Sequence, residues 1–87
     1  MGLYKIEWKR SATKELKQLP RDAMLRILEA IEQLSQEPYP AGVRKLAGSE
    51  HAWRIRVGDY RVVYTIVESA LVIEIIRVRH RKDAYRR

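Results

Sequence analysis

The chain has 87 residues, of which 46% are hydrophobic and 33% are charged, a composition typical of a small folded domain rather than a disordered segment. It contains no cysteine, which excludes disulfide bonds and thiolate metal sites. Its formal net charge of +7 favours a polyanionic partner such as nucleic acid.

We expect a single domain over residues 1–87, because no linker, repeat or low-complexity stretch divides the chain. The apolar runs are too short for a signal peptide or a membrane helix, so we expect a cytoplasmic protein without a membrane partner. The two histidines, His51 and His80, are far apart in the sequence. We therefore expect no metal site and no cofactor.

The N-terminal third predicts one strand and two helices. Residues 3–8 alternate between apolar and polar side chains, as a half-buried strand does. Ser11 is expected to cap a short first helix that Pro20 ends. From residue 21 to about 36, apolar residues recur at helical spacing and predict a second helix, with this stripe: Met24, Ile27, Leu28, Ile31 and Leu34.

A loop over residues 37–50 leads to three further strands. Two alternating runs, Ala52–Val57 and Tyr60–Val67, flank Gly58-Asp59, a pair suited to a two-residue hairpin turn. Residues 71–79 predict a covered strand, and residues 80–87 form a charged tail. The expected fold class is α+β, with an antiparallel four-stranded twisted sheet, an N-terminal helical hairpin packed on one face, and the order β-α-α-β-β-β.

The basic residues are concentrated in the C-terminal half. Residues 51–87 carry nine Lys and Arg against four Asp and Glu, and every basic residue there except Lys82 is arginine. Arginine remains charged at any working pH, and its planar fork matches pairs of phosphate oxygens. This half of the chain is therefore the candidate for binding nucleic acid.

The hairpin register predicts that arginines share one face of the sheet. A two-residue turn pairs Val57 with Tyr60, which places Arg56 directly opposite Arg61. Apolar side chains then face the helices, whereas the opposite face carries the following side chains: Arg54, Arg56, Arg61, Val63 and Thr65. A three-residue loop, Glu68-Ser69-Ala70, would add Arg77 beside Arg61, with Arg79 following.

No carboxylate is expected between these arginines, so a phosphate ligand would supply the missing negative charge. Tyr85, an aromatic ring beside a basic cluster, is a candidate for stacking on an unpaired base, with core packing as the alternative. Histidine is the residue type suited to proton transfer at neutral pH, so His80 is a candidate for that role, although a lone histidine is more often not catalytic.

Four segments form a distinctive series: Lys45-Leu46-Ala47-Gly48, Trp53-Arg54-Ile55-Arg56-Val57, Tyr60-Arg61-Val62-Val63-Tyr64 and Val78-Arg79-His80-Arg81-Lys82-Asp83-Ala84-Tyr85. Together they resemble the RelE/ParE toxin superfamily, and in particular its RelE-like branch. The order and spacing of the segments carry the resemblance, which covers essentially the whole chain.

The resemblance implies the toxin of a type II toxin-antitoxin system, a ribosome-dependent endoribonuclease (an mRNA interferase) that cleaves mRNA in the decoding site and inhibits translation. The implied partners are a cognate antitoxin, the ribosome and mRNA. The implied catalytic residues are Arg61, Arg81, Tyr85, Arg56, Arg54 and His80. We expect RNA phosphate to be held by Arg54, Arg56, Arg61, Arg77, Arg79, Lys82 and Lys45.

In these roles Arg61 binds phosphate, Arg81 is the general acid and Tyr85 stacks on the substrate base. The general base stays open, because Arg54 stands where the best-known members carry lysine and an arginine does not give up its proton. Three alternatives remain for the general base: it is His80, it is a group of the ribosome, or the reaction uses no strong base. A ParE-like inhibitor of DNA gyrase and a non-catalytic RNA-binding or ribosome-binding module are the competing functions.

Overall fold

The computed structural model describes residues 3–46, 48 and 51–84 as a twisted sheet with two helices against one face. The elements in chain order are β1 (Lys5–Trp8), α1 (Arg10–Lys17), α2 (Arg21–Leu34), β2 (Arg44–Lys45), β3 (Ala52–Val57), β4 (Tyr60–Val67), β5 (Val72–His80) and α3 (Arg81–Ala84). The strands lie side by side in the order β1-β5-β4-β3-β2. The predicted α+β class and the predicted succession of the main elements are confirmed.

The expected four-stranded, wholly antiparallel sheet is corrected at both of its edges. β1 pairs in parallel with β5, the last strand, and Lys5 lies opposite Val72. Alternation within a strand does not encode its direction, and a parallel pair needs a long connection, which the intervening elements provide here. At the other edge, β2 adds a two-residue strand that is too short to show a period of two in the sequence.

The core lies between the two helices and the inward face of the sheet, and its aliphatic composition agrees with the predicted stripes. Its largest fully buried side chains are Tyr64, Ile27, Leu34, Ile73, Ile75, Val62 and Val78. Leu28 departs from the predicted stripe on α2, because it is 38% exposed and lies toward Leu25 on the outer side. The Tyr64 hydroxyl donates a hydrogen bond to the Pro38 carbonyl oxygen at 2.9 Å, which satisfies a buried polar group.

The expectation that Ser11 caps the first helix is wrong. α1 begins at Arg10, Lys9 is the N-cap residue, and no side chain caps it. The Ser11 hydroxyl lies at 3.4 Å from the Ile76 carbonyl oxygen of β5, so it serves a tertiary contact instead. None of the helices in the described part of the chain is both long and apolar enough to span a membrane.

The β3–β4 hairpin has the predicted register at every predicted pair, including Arg56 opposite Arg61 and Val57 opposite Tyr60. Gly58 has a φ of 61°, the positive value that a type II′ turn requires at its first central position. The turn residues and the alternation together were therefore sufficient to define this part of the sheet.

The β4–β5 register differs from the expected one. The turn between these strands has four residues rather than three, since Val67 pairs with Val72. A bulge then falls between Val63, paired with Arg77, and Tyr64, paired with Ile75, so the ladder skips Ile76. The longer turn and the bulge each shift the register by one residue, and together they place Arg79, rather than Arg77, opposite Arg61.

Candidate nucleic-acid interface

An open cleft of about 210 Å³ lies on the sheet face opposite the helices. We call it the arginine cleft, and its lining residues are Leu46, Arg54, Arg61, Val63, Arg77 and Arg79. The alternation of β3, β4 and β5 directs these side chains away from the core, because their neighbours Ile55, Val62 and Val78 are buried beneath the sheet. The predicted face of arginines is thus a concave surface shared by three strands.

Arg61 lies at the centre of this surface. Its cross-strand partner on β3 is Arg56, and its cross-strand partner on β5 is Arg79. Like charges directly opposite each other on a sheet destabilise it. The repulsion is relieved when an anion lies between the guanidinium groups, and several guanidiniums that converge on one phosphate make charge-assisted hydrogen bonds in pairs.

The expectation that no carboxylate accompanies the arginines is corrected by Glu15 of α1. Its Oε2 lies 3.1 Å from Arg79 Nε and 3.4 Å from Arg77 Nη1. Its Oε1 accepts a hydrogen bond from the Val78 backbone N–H at 2.9 Å. Glu15 is 62 residues from Arg77 in sequence, so only the packing of α1 against the end of β5 brings the two together.

A second cleft of about 340 Å³ adjoins the arginine cleft and shares Arg54 and Arg61 with it. Its lining residues are Gly42, Arg44, Arg54, Ile55, Arg56 and Arg61. Sequence reasoning missed Arg44, because it was assigned to a loop in which no alternation was visible. Arg44 pairs with Arg54, whereas Lys45 pairs with the core-facing Trp53. The strand register therefore places Lys45 on the other face of the sheet from Arg44.

His80 also lies on the other face from Arg61 and Arg79. It pairs with Tyr60, and the two rings make an edge-to-face contact with centroids 5.2 Å apart. Its Nδ1 accepts a hydrogen bond from the Lys82 backbone N–H at 3.2 Å. The strand pairing thus separates His80 from the arginine cleft.

Arg81 begins α3 at the end of β5. Its backbone N–H donates to the Asp59 carbonyl oxygen at 2.7 Å, and its Nε lies 3.9 Å from Asp59 Oδ1. Both side chains are more than half exposed, so this ion pair is weak and leaves the guanidinium accessible to a ligand. Lys82 is exposed beside it, whereas Tyr85 lies outside the described residues.

The chemistry that this surface supports is the binding and charge stabilisation of phosphate. Among residues 3–46, 48 and 51–84, no three His, Asp or Glu side chains lie close enough together to hold a metal ion. The guanidinium groups donate hydrogen bonds and carry fixed positive charge, which is the means by which a protein stabilises a charged phosphorane without a metal. Leu46 and Val63 add an apolar wall to the cleft, against which a ribose or a base can pack.

Comparisons with known proteins show the family to which this chain belongs. Residues 6–85 match the family described as ParE toxin of type II toxin-antitoxin system, parDE. Toxin RelG of Mycobacterium tuberculosis is 36% identical over 88 residues, which cover 97% of this chain and 98% of the relative. The chain belongs to the ParE toxin family of type II toxin-antitoxin systems.

Two solved structures of relatives have the same fold. The archaeal RelE-RelB complex from Pyrococcus horikoshii OT3 contains a chain 33% identical to this one, with a TM-score of 0.81 and coverage of 91% of this chain and 96% of that one. The toxin-antitoxin complex RelBE2 from Mycobacterium tuberculosis contains one 28% identical, with a TM-score of 0.78 and coverage of 88% and 96%. Within the RelE/ParE superfamily the chain is a RelE-like toxin, as its sequence motifs predicted.

Proposed function

We propose that this toxin is a ribosome-dependent endoribonuclease that cleaves mRNA in the decoding site and thereby inhibits translation. The observation that carries the proposal is the pairing of Arg61 with Arg79 across the arginine cleft, with Arg54 on the neighbouring strand. A single-stranded RNA backbone laid along this face would bring its phosphates to paired guanidinium groups. Similarity to RelE-like toxins supports the proposal, because the resemblance of the sequence motifs to that branch implies this class of activity.

The proposed reaction is an in-line attack of a ribose 2′-OH on the adjacent phosphorus. The bond from phosphorus to the 5′ oxygen breaks, the departing oxygen takes up a proton, and the products are a 2′,3′-cyclic phosphate and a 5′-OH end. In this proposal Arg61 and Arg56 stabilise the phosphorane charge, and Arg81, which begins α3 beside Asp59, is the general acid for the departing 5′ oxygen. Positioning of the attacking oxygen supplies much of the rate enhancement in such a reaction.

The proton acceptor is the open part of this mechanism. Arg54 lines the cleft, but an arginine is not suited to act as a general base. His80 contacts Tyr60 on the opposite face. These placements favour either a base supplied by the ribosome or a reaction without a strong base. Tyr85 remains the proposed stacking residue for the substrate base.

We also propose a cognate antitoxin as the physiological partner of this chain. The two solved relatives named above were determined with their antitoxins. On this chain, Leu25 is 52% exposed and Leu28 is 38% exposed, one helical turn apart on the outer side of α2. An amphipathic antitoxin helix could bury them. Co-purification with the product of a short, acidic reading frame adjoining the gene tests this pairing.

Primer extension on translated mRNA tests the nuclease. Cleavage by the wild-type toxin should require ribosomes, and Arg61→Ala, Arg81→Ala and Tyr85→Ala should each reduce it, with Arg61→Ala losing on the order of 100-fold as expected for a lost charge-stabilising donor. Arg26→Ala, which removes an exposed cation of α2, is the matched control and should cut normally. Wild-type cutting by all three site variants would overturn the assignment.

The matched family favours one other function, inhibition of DNA gyrase, because its description is that of a ParE toxin. A supercoiling assay with purified gyrase separates the two functions. Inhibition of gyrase together with intact translated mRNA would favour the gyrase poison. Salt-dependent binding to translating ribosomes without a cyclic-phosphate product would indicate a non-catalytic module.

A further inference from the structure

Glu15 joins α1 to the end of β5 through the backbone as well as through side chains. β1 pairs only with the first part of β5, up to Ile75, and α1 lies beside the rest of the strand. There the Glu15 carboxylate accepts the Val78 N–H through Oε1, and Ser11, one helical turn earlier, contacts the Ile76 carbonyl oxygen. This anchoring fixes the position of the carboxylate relative to the bulged part of β5.

The other carboxylate oxygen of Glu15 holds the two arginines that β5 contributes to the cleft. Oε2 accepts from Arg79 Nε at 3.1 Å and from Arg77 Nη1 at 3.4 Å. The Glu15 side chain is only 22% exposed, against 37% for Arg79 and 45% for Arg77. The contact of the carboxylate with Arg79 is through Nε, so the two Nη groups of that guanidinium can still donate to a ligand.

We propose that Glu15 is a positioning residue of the arginine cleft. It orients Arg79 across from Arg61, so that the two guanidiniums bracket one phosphate in a single geometry. Its negative charge also lowers the positive potential of the cleft, so orientation is gained while overall attraction for polyanions is reduced. The proposal rests on the proposed function in that the bracketed group is an RNA phosphate.

The consequence is a split between binding and cleavage. Without the carboxylate, an arginine side chain regains much of its rotamer freedom, and a small misplacement of a reacting group can slow a reaction strongly. Loss of one negative charge at the same time strengthens the attraction for an oligonucleotide. A residue that only stabilised the fold would instead weaken binding and cleavage together.

Glu15→Gln is the decisive variant, because the amide oxygen can still accept the Val78 N–H while the charge is removed. We expect it to bind a 2′-O-methyl oligoribonucleotide, which lacks the attacking hydroxyl, about 2-fold to 5-fold more tightly. We expect its cleavage rate on translated mRNA at saturation to fall about 10-fold. Glu29→Gln, which removes the same charge from the exposed side of α2, is the matched control and should cut at the wild-type rate.

A double-mutant cycle with Arg79→Gln shows whether Glu15 acts through that arginine. In the Arg79→Gln background, Glu15→Gln should change the cleavage rate by less than about 2-fold, whereas the gain in affinity that comes from the lost negative charge should persist. Thermal unfolding of each variant is measured in parallel. Three results would each overturn the proposal. They are an unchanged cleavage rate in Glu15→Gln, a parallel loss of binding and cleavage with a lowered unfolding temperature, and independent effects of the two substitutions on the cleavage rate.

The same cycle keeps the two hypotheses apart. If the wild-type toxin does not cut translated mRNA, the proposed function fails, but the oligonucleotide affinities still report the coupling of Glu15 to Arg79. A gain in affinity from Glu15→Gln that differs between the two backgrounds would then support the positioning role at a phosphate-binding surface, whereas equal gains would overturn it.

Discussion

Arg61 of β4 and Arg79 of β5 are direct cross-strand partners, and both line the arginine cleft. Two guanidiniums in this relationship repel each other, and the Glu15 carboxylate offsets part of that repulsion through its ion pair with Arg79. Phosphate between them reverses the sign of the interaction, since each guanidinium can then donate paired hydrogen bonds to an anion. A phosphate bound between the two guanidiniums would therefore stabilise this pair of strands.

The repulsion between Arg61 and its other cross-strand partner, Arg56, should be measurable as a change in the free energy of unfolding. Arg56→Thr removes the cation opposite Arg61 and introduces a residue favoured in strands, but it also removes the hydrogen bond from Arg56 Nε to the Gly58 carbonyl oxygen at 3.0 Å. We therefore expect the free energy of unfolding, relative to wild type, to be a few tenths of a kcal/mol higher at low salt than at high salt. The difference arises because salt screens the charges. Lys5→Thr on β1, where the partner is the uncharged Val72, should show no such salt dependence. Denaturant titration at two ionic strengths measures both variants.

Arg44 and Lys45 are adjacent in sequence but lie on opposite faces of β2, so they form a matched pair for testing which face binds RNA. Arg44→Ala should weaken oligonucleotide binding and reduce the slope of log affinity against log salt by about 0.7, the contribution of one single-stranded phosphate contact. Lys45→Ala should leave the slope close to wild type. A larger effect at Lys45 would contradict the face assignment.

The position of His80 predicts that its ring is structural. His80→Phe keeps an aromatic ring against Tyr60, and we expect cleavage within about 3-fold of wild type with an unchanged pH-rate profile, because a general base normally contributes at least about 100-fold. Single-turnover cleavage across pH 5 to 9 is the measurement. A fall of about 100-fold in the cleavage rate, together with loss of the acidic limb of the pH-rate profile, would identify His80 as the general base.

The buried hydroxyl of Tyr64 makes the stability of the fold depend on pH in the alkaline range. Burial raises the pKa of the Tyr64 hydroxyl above its ordinary value of 10.0, so the folded protein keeps the proton that the unfolded chain loses. Its contribution to stability is therefore complete below about pH 10 and declines as the pH rises further. Denaturant unfolding between pH 8 and 11 should show this decline in the wild type.

Tyr64→Phe should lack that part of the alkaline loss and should cost about 1–2 kcal/mol at neutral pH, because the Pro38 carbonyl oxygen loses its buried donor. Tyr39→Phe is the comparison at neutral pH. The Tyr39 hydroxyl bonds Glu68 at the surface, and its removal should cost no more than about 0.5 kcal/mol. Equal costs for the two variants would argue against the buried hydrogen bond.

Local sequence patterns were sufficient for the features that depend on near neighbours. Alternation in β3 and β4 defined their inward and outward faces, and Gly58-Asp59 defined their register, so Arg54, Arg56 and Arg61 were assigned correctly to one face. The stripe of α2 and the proline before it likewise predicted a helix that begins at Arg21. Each of these signals is carried by residues that are close together in the chain.

The tertiary structure decided the features that depend on distant segments. The bulge that skips Ile76 restores the outward direction of Arg77 and Arg79, which the four-residue turn alone would have turned toward the core. Glu15 reaches those two arginines only because α1 packs beside the open part of β5. The alternation of side chains along a strand determines which of them share a face of the sheet. Which other element contacts that face depends on the packing of segments that are distant in the sequence, and alternation carries no information about that packing.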